Sequence, residues 1–412
     1  MRRLLLFTLS LSLVGTSRAQ TPDVPIKFNG QIRVRSEADG RDFNNDSDVN
    51  TYTLLRTRFG ANIQALEDVK AYIQIQDSRA FGREPGTLAN TSNLDVHQAY
   101  FEISNLWDRP IQLKVGRQEM LYGSQRLIGP VGFSNVGRAF DGVKLTFGKN
   151  ANFDLFAMVI NEGNIPVSGP ATPSSTAGRE NTDNQFYGVY YKHRKNPKYI
   201  LDVYGLFQSN LNETIPGEND LNRATIGTYN KGRFSSNFDF ETEAALQFGK
   251  RRGQDVFAFM LTGSVGYTFQ TAHKPSVRVG YDFLSGMDAG DDDYKAFDTL
   301  FATNHKFYGF MDYFINVPLN TSGQGLHDFM IKAKVPFANK WNFNAHIHNF
   351  RTAKGEEKNL GNELDLVLNY KYNTGVSFVF GLAFFIAGDL LEQRFTNDDI
   401  GVWSYSTLQL NF

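Results

Sequence analysis

Arginine and glycine recur between Val115 and Leu145, in the segment VGRQEMLYGSQRLIGPVGFSNVGRAFDGVKL. The segment carries Arg117, Arg126 and Arg138, and stretches of alternating apolar and polar residues flank it. Arginine binds carboxylates and phosphates through paired hydrogen bonds and keeps its charge at physiological pH. Glycines beside arginines suit three structures, namely a phosphate-binding turn, a nucleic-acid arm, or a loop packed into a charged space.

Other residues with reactive side chains form weaker groups. His346 and His348 alternate along the chain and have the spacing of two metal ligands on one strand, but the sequence identifies no third ligand. The acidic run from Asp288 to Asp293 lacks the EF-hand pattern. No GxSxG, HExxH or P-loop motif occurs. We therefore expect no enzyme activity, no metal site and no cofactor, and we interpret the two histidines as polar lining.

The N-terminal segment predicts export from the cytoplasm. Arg2 and Arg3 precede an apolar stretch from Leu4 to Val14, which is too short to span a membrane. Ser17 and Ala19 place small residues at the positions that a signal peptidase needs, with cleavage expected before Gln20. We therefore expect a signal peptide over residues 1–19.

Composition narrows the class of protein. The chain has 42 basic and 43 acidic residues and no cysteine, so it gives no support to nucleic-acid binding and excludes a disulfide scaffold. It is rich in Phe, with 36, in Tyr, with 18, and in Gly, with 37. After the leader, no apolar run reaches the roughly 18 residues of a membrane helix. This combination is typical of a transmembrane β-barrel.

Alternation of apolar and polar residues predicts strands along the whole chain. In IKFNGQIRVRS, the face that starts at Ile26 is apolar and the face that starts at Lys27 is polar and basic. About 18 such segments occur, joined alternately by short connectors, such as KNPK, and long ones, such as Ser285 to Leu326. We predict an all-β protein. It is a transmembrane antiparallel up-and-down β-barrel of about 18 strands, with short periplasmic turns and long extracellular loops, in one domain over residues 20–412.

The polar face of each strand is expected to line the lumen, because lipid requires an apolar outer face. Lys27 and Lys70 are expected to point inward, and the bases expected to line the substrate pathway are Arg33, Arg35, Arg56, Arg58, Lys114, Arg138, Lys144, Arg278, Lys332 and Lys334. The expected inward acids are Glu102, Asp239, Glu241, Glu243, Asp282, Asp328, Glu363 and Asp365. The bases predict anion selectivity at a constriction, and the alternative is internal ion pairing that only fills the lumen.

The arginine- and glycine-rich segment is expected to fold inward as a loop. No helix follows it to present its amides to a phosphate, and export excludes a nucleic-acid arm. We expect the loop to present Arg117 and Arg126 to the pore and to leave Arg138 on the wall.

An aromatic segment, HKFYGFMDYF, lies inside the longest connector. We expect it to fold into the pore as a gate formed by His305, Tyr308, Asp312 and Tyr313, and the alternative is a cap on the rim.

The last alternating segment ends on Phe412. A terminal aromatic residue on the last strand resembles the feature that the barrel assembly machinery of the bacterial outer membrane recognises. We therefore expect this machinery and outer-membrane lipid as partners.

Five stretches resemble the alginate export family of outer-membrane proteins, namely AYIQIQDSRAFG, VHQAYFEI, the arginine- and glycine-rich segment, NHKFYGFMDYF and LGNELDLVLNY. The resemblance runs from about Ile26 to Phe412. It implies a monomeric 18-stranded barrel whose narrow electropositive pore passes an anionic uronate polymer without chemistry or ATP. It carries a pathway role to Arg56, Arg58, Arg79, Arg117, Arg126 and Arg138.

Together these features predict a passive outer-membrane channel for anionic solutes such as alginate-like uronate polymers or oligomers. One alternative is a general or sugar-specific porin without a preference for polyuronates. A barrel hydrolase would need Ser, His and Asp to converge at one rim, and a barrel adhesin would have a filled, non-conducting lumen.

Overall fold

Eighteen strands form one closed antiparallel barrel in the part of the chain that the structure describes. The computed structural model describes residues 24–89, 93–148, 151–162, 183–194, 196, 198–210 and 221–412, so the expected signal peptide lies outside it. The strands are β1 (Ile26–Gly40), β2 (Asn50–Leu66), β3 (Val69–Ala80), β4 (Leu94–Ile103), β5 (Ile111–Gln118), β6 (Phe140–Phe147), β7 (Ala151–Asn161), β8 (Asn184–His193), β9 (Tyr199–Asn210), β10 (Leu221–Arg233), β11 (Phe238–Arg251), β12 (Gln254–Thr268), β13 (Ser276–Leu284), β14 (Leu326–Phe337), β15 (Trp341–Arg351), β16 (Asn359–Lys371), β17 (Val376–Ala387) and β18 (Gly401–Asn411).

Each strand pairs with its neighbours in sequence, and β1 pairs with β18 to close the sheet. Two short α-helices, α1 (Val317–Asn320) and α2 (Asp389–Phe395), and two 3₁₀ turns, Leu106–Asp108 and Asn304–Lys306, lie in the connectors. No helix of the described residues is long and apolar enough to cross a membrane. The predicted fold class, strand number and antiparallel order are confirmed.

The period-two pattern separates an apolar outer face from a polar inner face. On β1, Phe28 is 62% exposed on the outside, whereas Arg33 and Arg35 are each 5% exposed on the inside. Neighbouring strands continue both faces, because directly opposed residues project to the same side of a sheet. The alternation in the sequence therefore predicts the inner and outer faces of β1 correctly.

The connectors alternate in length with one exception. Residues 252–253 join β11 to β12 by a two-residue turn on the side where the other odd-numbered connectors are longer. Both turn residues, Arg252 and Gly253, have positive φ, as expected for a tight hairpin. The expected regular alternation is wrong here, because β11 and β12 extend through GKRRGQDV as far as the turn.

Two long loops fold into the barrel and supply much of its core. The β5–β6 loop (119–139) and the β13–β14 loop (285–325) meet at a bridge between Ile128 and Phe301. The Gly129 N–H donates to the Phe301 carbonyl at 2.9 Å. Their buried apolar side chains join inward-facing residues of the strands in one cluster, which includes Met120, Tyr122, Leu127, Phe156, Phe186, Phe297, Tyr308, Met311, Phe314, Phe350 and Phe385. Both loops therefore fold into the barrel, in agreement with the prediction from the sequence.

Candidate channel lining

Four arginines stand together on the inner face of β1 and β2, and we call them the arginine cluster. Arg33 and Arg35 lie on β1, and Arg56 and Arg58 lie on β2. Arg33 and Arg56 are direct cross-strand partners, and their spacing of two residues along each strand keeps all four on one face. Arg33, Arg35 and Arg56 are at most 5% exposed.

Backbone carbonyls of the β5–β6 loop accept hydrogen bonds from this cluster. Arg33 and Arg56 both donate to the carbonyls of residues 132 and 134, at 2.8 and 2.9 Å from Arg33 and at 3.1 and 2.9 Å from Arg56. Arg35 donates to the carbonyl of residue 133 at 2.5 Å, and Arg58 donates to that of residue 136 at 3.1 Å. The cluster therefore holds the loop against the wall, with neutral oxygens as partners.

The arginine cluster keeps positive charge that the described residues do not balance. Within ion-pair distance it has two carboxylates, Glu37 at 2.7 Å from Arg35 and Glu119 at 3.3 Å from Arg58. Four guanidinium groups and two carboxylates leave two positive charges, because a guanidinium does not lose its proton. Burial alone would raise the pKa of the Glu119 carboxyl, but its hydrogen bond with His97 and the charge of Arg58 outweigh burial and hold the pKa below its ordinary value.

Arg126 connects the two inward loops to the opposite wall. Its Nη1 lies 2.5 Å from Asp282 on β13, and its guanidinium stacks 4.0 Å from the ring centroid of Phe307. Burial would lower the pKa of Arg126, but Asp282 outweighs it and the pKa is raised. Arg126 thus lies inside the lumen as expected, but it is committed to an internal ion pair.

Arg138 joins the two loops and does not lie on the strand wall, contrary to the prediction. It precedes β6 and donates to the carbonyls of Gly129, at 3.1 Å, of Ala302, at 3.0 Å, and of Phe301. Burial lowers the pKa of Arg138 to about 10, so the group stays charged at neutral pH.

Arg79 and Arg117 face the outside of the barrel near the rim that carries the long loops. The prediction that they line the substrate pathway is therefore wrong. Arg79 pairs with Asp77 at 2.6 Å, and Arg117 pairs with Asp141 at 2.7 Å. β5 continues to Gln118, which is buried on the inside, so alternation turns Arg117 outward.

A second basic region lies near the short turns, and we call it the basic belt. It consists of the inward-facing bases Lys27, Lys70, Lys114, Lys144, Lys192, Lys231, Arg233, Arg278, Lys334 and Lys371. The inward acids at this level are Glu102, Asp154, Asp202, Asp239 and Glu241, so ten bases face five acids. Asp154 and Asp202 are fully buried.

The sequence analysis predicted an inward position for only some residues of the basic belt. The alternation of YGVYYKH already puts Lys192 on the face opposite Tyr191, so the pattern could have identified it. Lys114 and Lys144 are direct cross-strand partners. Lys114 lies 3.3 Å from Glu102, whereas Lys144 forms no ion pair with a described residue.

The inward acids of the later strands lie beneath the loops. Glu243, Asp282, Asp328, Glu363 and Asp365 are each at most 4% exposed. The Met311 N–H of the β13–β14 loop donates to Glu363 at 2.8 Å, and Ser124 of the β5–β6 loop donates to Glu243. Lys332 is the inward base among these acids. We call the surface of β13, β14 and β16 that bears Asp282, Asp328, Glu363 and Asp365 the acidic wall.

The expected gate residues all make contacts within the barrel. His305 stacks on Phe133 with ring centroids 3.8 Å apart and bonds to Asp312 at 2.8 Å. The hydroxyl of Tyr313 donates to the Arg41 carbonyl at 2.7 Å, and the buried Tyr308 accepts from Arg126 at 3.3 Å. These side chains fix the loop in place, and a gating role stays a prediction.

The structure supplies the third potential metal ligand that the sequence could not identify. One ligand atom each of His346, His348 and Asp365 lie within 4.8 Å of one another. β15 and β16 bring His346 directly opposite Asp365. No sequence pattern reveals this pairing, because it depends on strand register.

Comparison with known proteins identifies the family. Residues 24–399 match the family described as alginate export. Among solved structures the fold is similar to Pseudomonas aeruginosa OccK11 (OpdR), with 15% identity, 94% and 96% of the two chains covered and a TM-score of 0.58. It is also similar to P. aeruginosa OccK8 (OprE), at 14%, 94% and 98%, and 0.60, and to Acinetobacter baumannii OccAB4, at 11%, 94% and 98%, and 0.61.

No curated protein sequence shows detectable similarity to this chain. The family match covers most of the chain, and the 18-stranded barrel of this chain is similar in fold to solved structures that include the outer membrane protein OpdK of P. aeruginosa. The chain therefore belongs to the alginate export family and is a channel protein of the bacterial outer membrane.

Proposed function

We propose that the protein is a passive, anion-selective channel for carboxylated sugars of the uronate class, either polymers or oligomers. The observation that carries the proposal is the excess of inward positive charge, in the arginine cluster and in the basic belt. A lumen lined by such charge attracts anions and repels cations.

The basic belt suits a solute that moves past many weak contacts. Lys114 on β5 and Lys144 on β6 are directly paired neighbours on adjacent strands, and like charges in such a pair repel each other. A carboxylate that passes between them relieves that repulsion. The same carboxylate can then bind another base of the basic belt. One tight site would instead stop a polymer.

Burial of the acids supports the same selectivity. The acidic wall would repel a polyanion if it were exposed, but the two inward loops and Arg126 cover or pair its carboxylates. The bases near the short turns stay partly exposed, for example Lys231 with a side chain that is 49% exposed.

The partners of the channel are part of the proposal. Phe412 is 60% exposed at the end of the chain, and its backbone pairs with Gly30 at 2.8 and 3.1 Å. We assign it to recognition by the barrel assembly machinery, and the exposed apolar face to outer-membrane lipid. The channel acts as a monomer and carries out no chemistry.

Planar-bilayer recording on the purified protein tests the proposal. Reversal potentials in a salt gradient should show anion selectivity, and alginate oligomers should block the current more strongly than neutral oligosaccharides of equal length. Replacing both Lys114→Gln and Lys144→Gln should lower the anion-to-cation permeability ratio. Lys250→Gln is the matched control, because Lys250 pairs with Asp255 at 3.1 Å on the outer face.

Cation selectivity of the wild-type protein would contradict the proposal. Equal block by charged and neutral oligomers would favour the alternative, a general or sugar-specific porin in which wall charge only adjusts conductance.

A further inference from the structure

We propose that His346, His348 and Asp365 bind one divalent transition-metal ion in the barrel wall, and that Zn²⁺ is the matching ion. The three side chains project from the inner faces of β15 and β16, and their candidate ligand atoms lie within 4.8 Å of one another. This site is separate from the anion pathway proposed above and does not depend on it.

Asp365 is the residue that most requires a cation. It is 1% exposed and adjacent to the carboxyl group of Glu363, and neither of its oxygens has a partner in good hydrogen-bond geometry among the described residues. Nδ1 of His346 is likewise buried without a described partner. Buried charges are strongly unfavourable unless they are paired or coordinate a metal, so these atoms have the arrangement expected of ligands.

Asp328 orients His348 in the way that metal sites commonly use. Both of its oxygens lie 2.9 Å from Nδ1 of His348, and both residues are at most 1% exposed. A proton on Nδ1 that is donated to Asp328 leaves the lone pair of Nε2 free for a metal. The carboxylate–histidine pair thus fixes the ring and its tautomer.

The excess of carboxyl groups over bases around the three residues also favours a bound cation. The acidic wall around the three residues has four carboxylates, on Asp282, Asp328, Glu363 and Asp365, and two bases, Arg126 and Lys332. With neutral histidines and ionised carboxyl groups, the carboxylates outnumber the bases by two, which is the charge that one divalent cation supplies.

The donor set selects the type of metal. Two imidazole nitrogens and one carboxylate oxygen suit Zn²⁺ and its first-row neighbours, whereas Ca²⁺ and Mg²⁺ prefer oxygen ligands alone. His346 is partly exposed toward the lumen, so an ion can reach the site from there. A bound ion would lie close to the β13–β14 loop, where Met311 bonds to Glu363 and the Phe310 ring lies 5.2 Å from that of His346.

Metal titration of the full-length folded protein in detergent tests the site. After treatment with a chelator, the wild-type protein should bind one Zn²⁺ per chain, and Co²⁺ should give the intense visible absorption of four- or five-coordinate nitrogen-ligated cobalt. His346→Ala and Asp365→Asn should each weaken binding by more than about 100-fold, and Asp328→Asn by about 10–100-fold. His327→Ala is the matched control, since His327 precedes Asp328 on β14 and projects to the outer face, where it bonds to Tyr281.

Two results would overturn the proposal. The first is a folded wild-type barrel that shows no saturable binding, or binds Co²⁺ with only the weak absorption of oxygen ligands, since Glu363 and Asp365 would then share a proton instead. The second is a folded His346→Ala variant that binds as tightly as wild type. The cobalt spectrum of the wild-type protein decides the question even if the variants do not fold.

Discussion

The arginine cluster and the acidic wall both line the inner face of the barrel, and they hold the inward loops by opposite chemistry. The cluster donates to carbonyl oxygens of residues 132, 133, 134 and 136, whereas Glu363 of the acidic wall accepts the N–H of Met311. A peptide group has both a donor and an acceptor, so uncharged backbone can satisfy either wall.

The two walls differ in what remains after the loops are bound. Carbonyl oxygens are neutral, so the arginine cluster keeps its excess positive charge. The acidic wall receives two bases, Arg126 from the β5–β6 loop and Lys332 from its own strand. Loop packing therefore preserves the field of the basic side and reduces that of the acidic side.

The largest expected effect is at the acidic wall, in Arg126→Gln. Breaking this buried pair leaves Asp282 without its partner and should cost about 3–5 kcal/mol in the free energy of unfolding. The two loops should also separate from the wall and raise single-channel conductance. Chemical unfolding in detergent and bilayer recording measure these effects.

Arg117→Gln is the control for that variant. Its pair with Asp141 lies on the outer face with side chains 37% and 55% exposed, so removing it should change the unfolding free energy by about 0–1 kcal/mol. Equal losses in the two variants would show that Arg126 contributes no more than a surface pair.

The next effect concerns the basic side, in the double variant Arg33→Gln and Arg56→Gln. It removes four charged hydrogen bonds to the β5–β6 loop, but it also relieves the repulsion between two buried like charges that are direct cross-strand partners, so the net loss of stability should be smaller than in Arg126→Gln. Conductance should rise and anion selectivity should fall together, as reversal potentials would show. Arg79→Gln, on the outer face, should change neither quantity.

A smaller effect should appear on acidification, through Glu119. Because its folded pKa lies below the ordinary value, its contribution to stability is present above the unfolded pKa of about 4.3 and is lost as pH falls through the folded pKa. Protonation of Glu119 should weaken its bonds to Arg58 and His97 and loosen the attachment of the β5–β6 loop to the wall. Conductance of the wild-type protein should therefore change in this acid range, and Glu119→Gln should abolish that change.

The smallest effect compares two glycines where the loops approach the walls. A Cβ at Gly137 would lie 2.7 Å from Arg58, and one at Gly309 would lie 2.1 Å from Glu363; both residues have positive φ. Gly82 has positive φ with no atom within 4 Å of such a Cβ, so Gly82→Ala measures backbone strain alone, about 1 kcal/mol. Alanine at the other two positions should lower thermal stability further, and equal shifts in all three would mean that the loops yield easily.

The strand pattern of the sequence was sufficient to predict the barrel and most of its inward charges, because a period of two determines the face of every residue in a strand. At Arg117 and Arg138 the errors lie where a strand ends, whereas Arg79 was assigned to the pathway through the family resemblance although it shares the outer face of β3 with Ile75. A pattern of residue types does not reveal whether the next residue continues the strand or enters a loop. The partners of Arg126 and the proximity of Asp365 to His346 depend on long-range register, which no local pattern contains.

The closure between β1 and β18 has a consequence for assembly. It joins Gln31 to Asn411, so the first strand finds its second neighbour only when the final strand is present. Until then, the sheet has two unpaired edges, and open edges can pair with other chains and aggregate. Loss of the last strand should therefore prevent biogenesis of the whole molecule, even though that strand contributes none of the charged residues of the lumen.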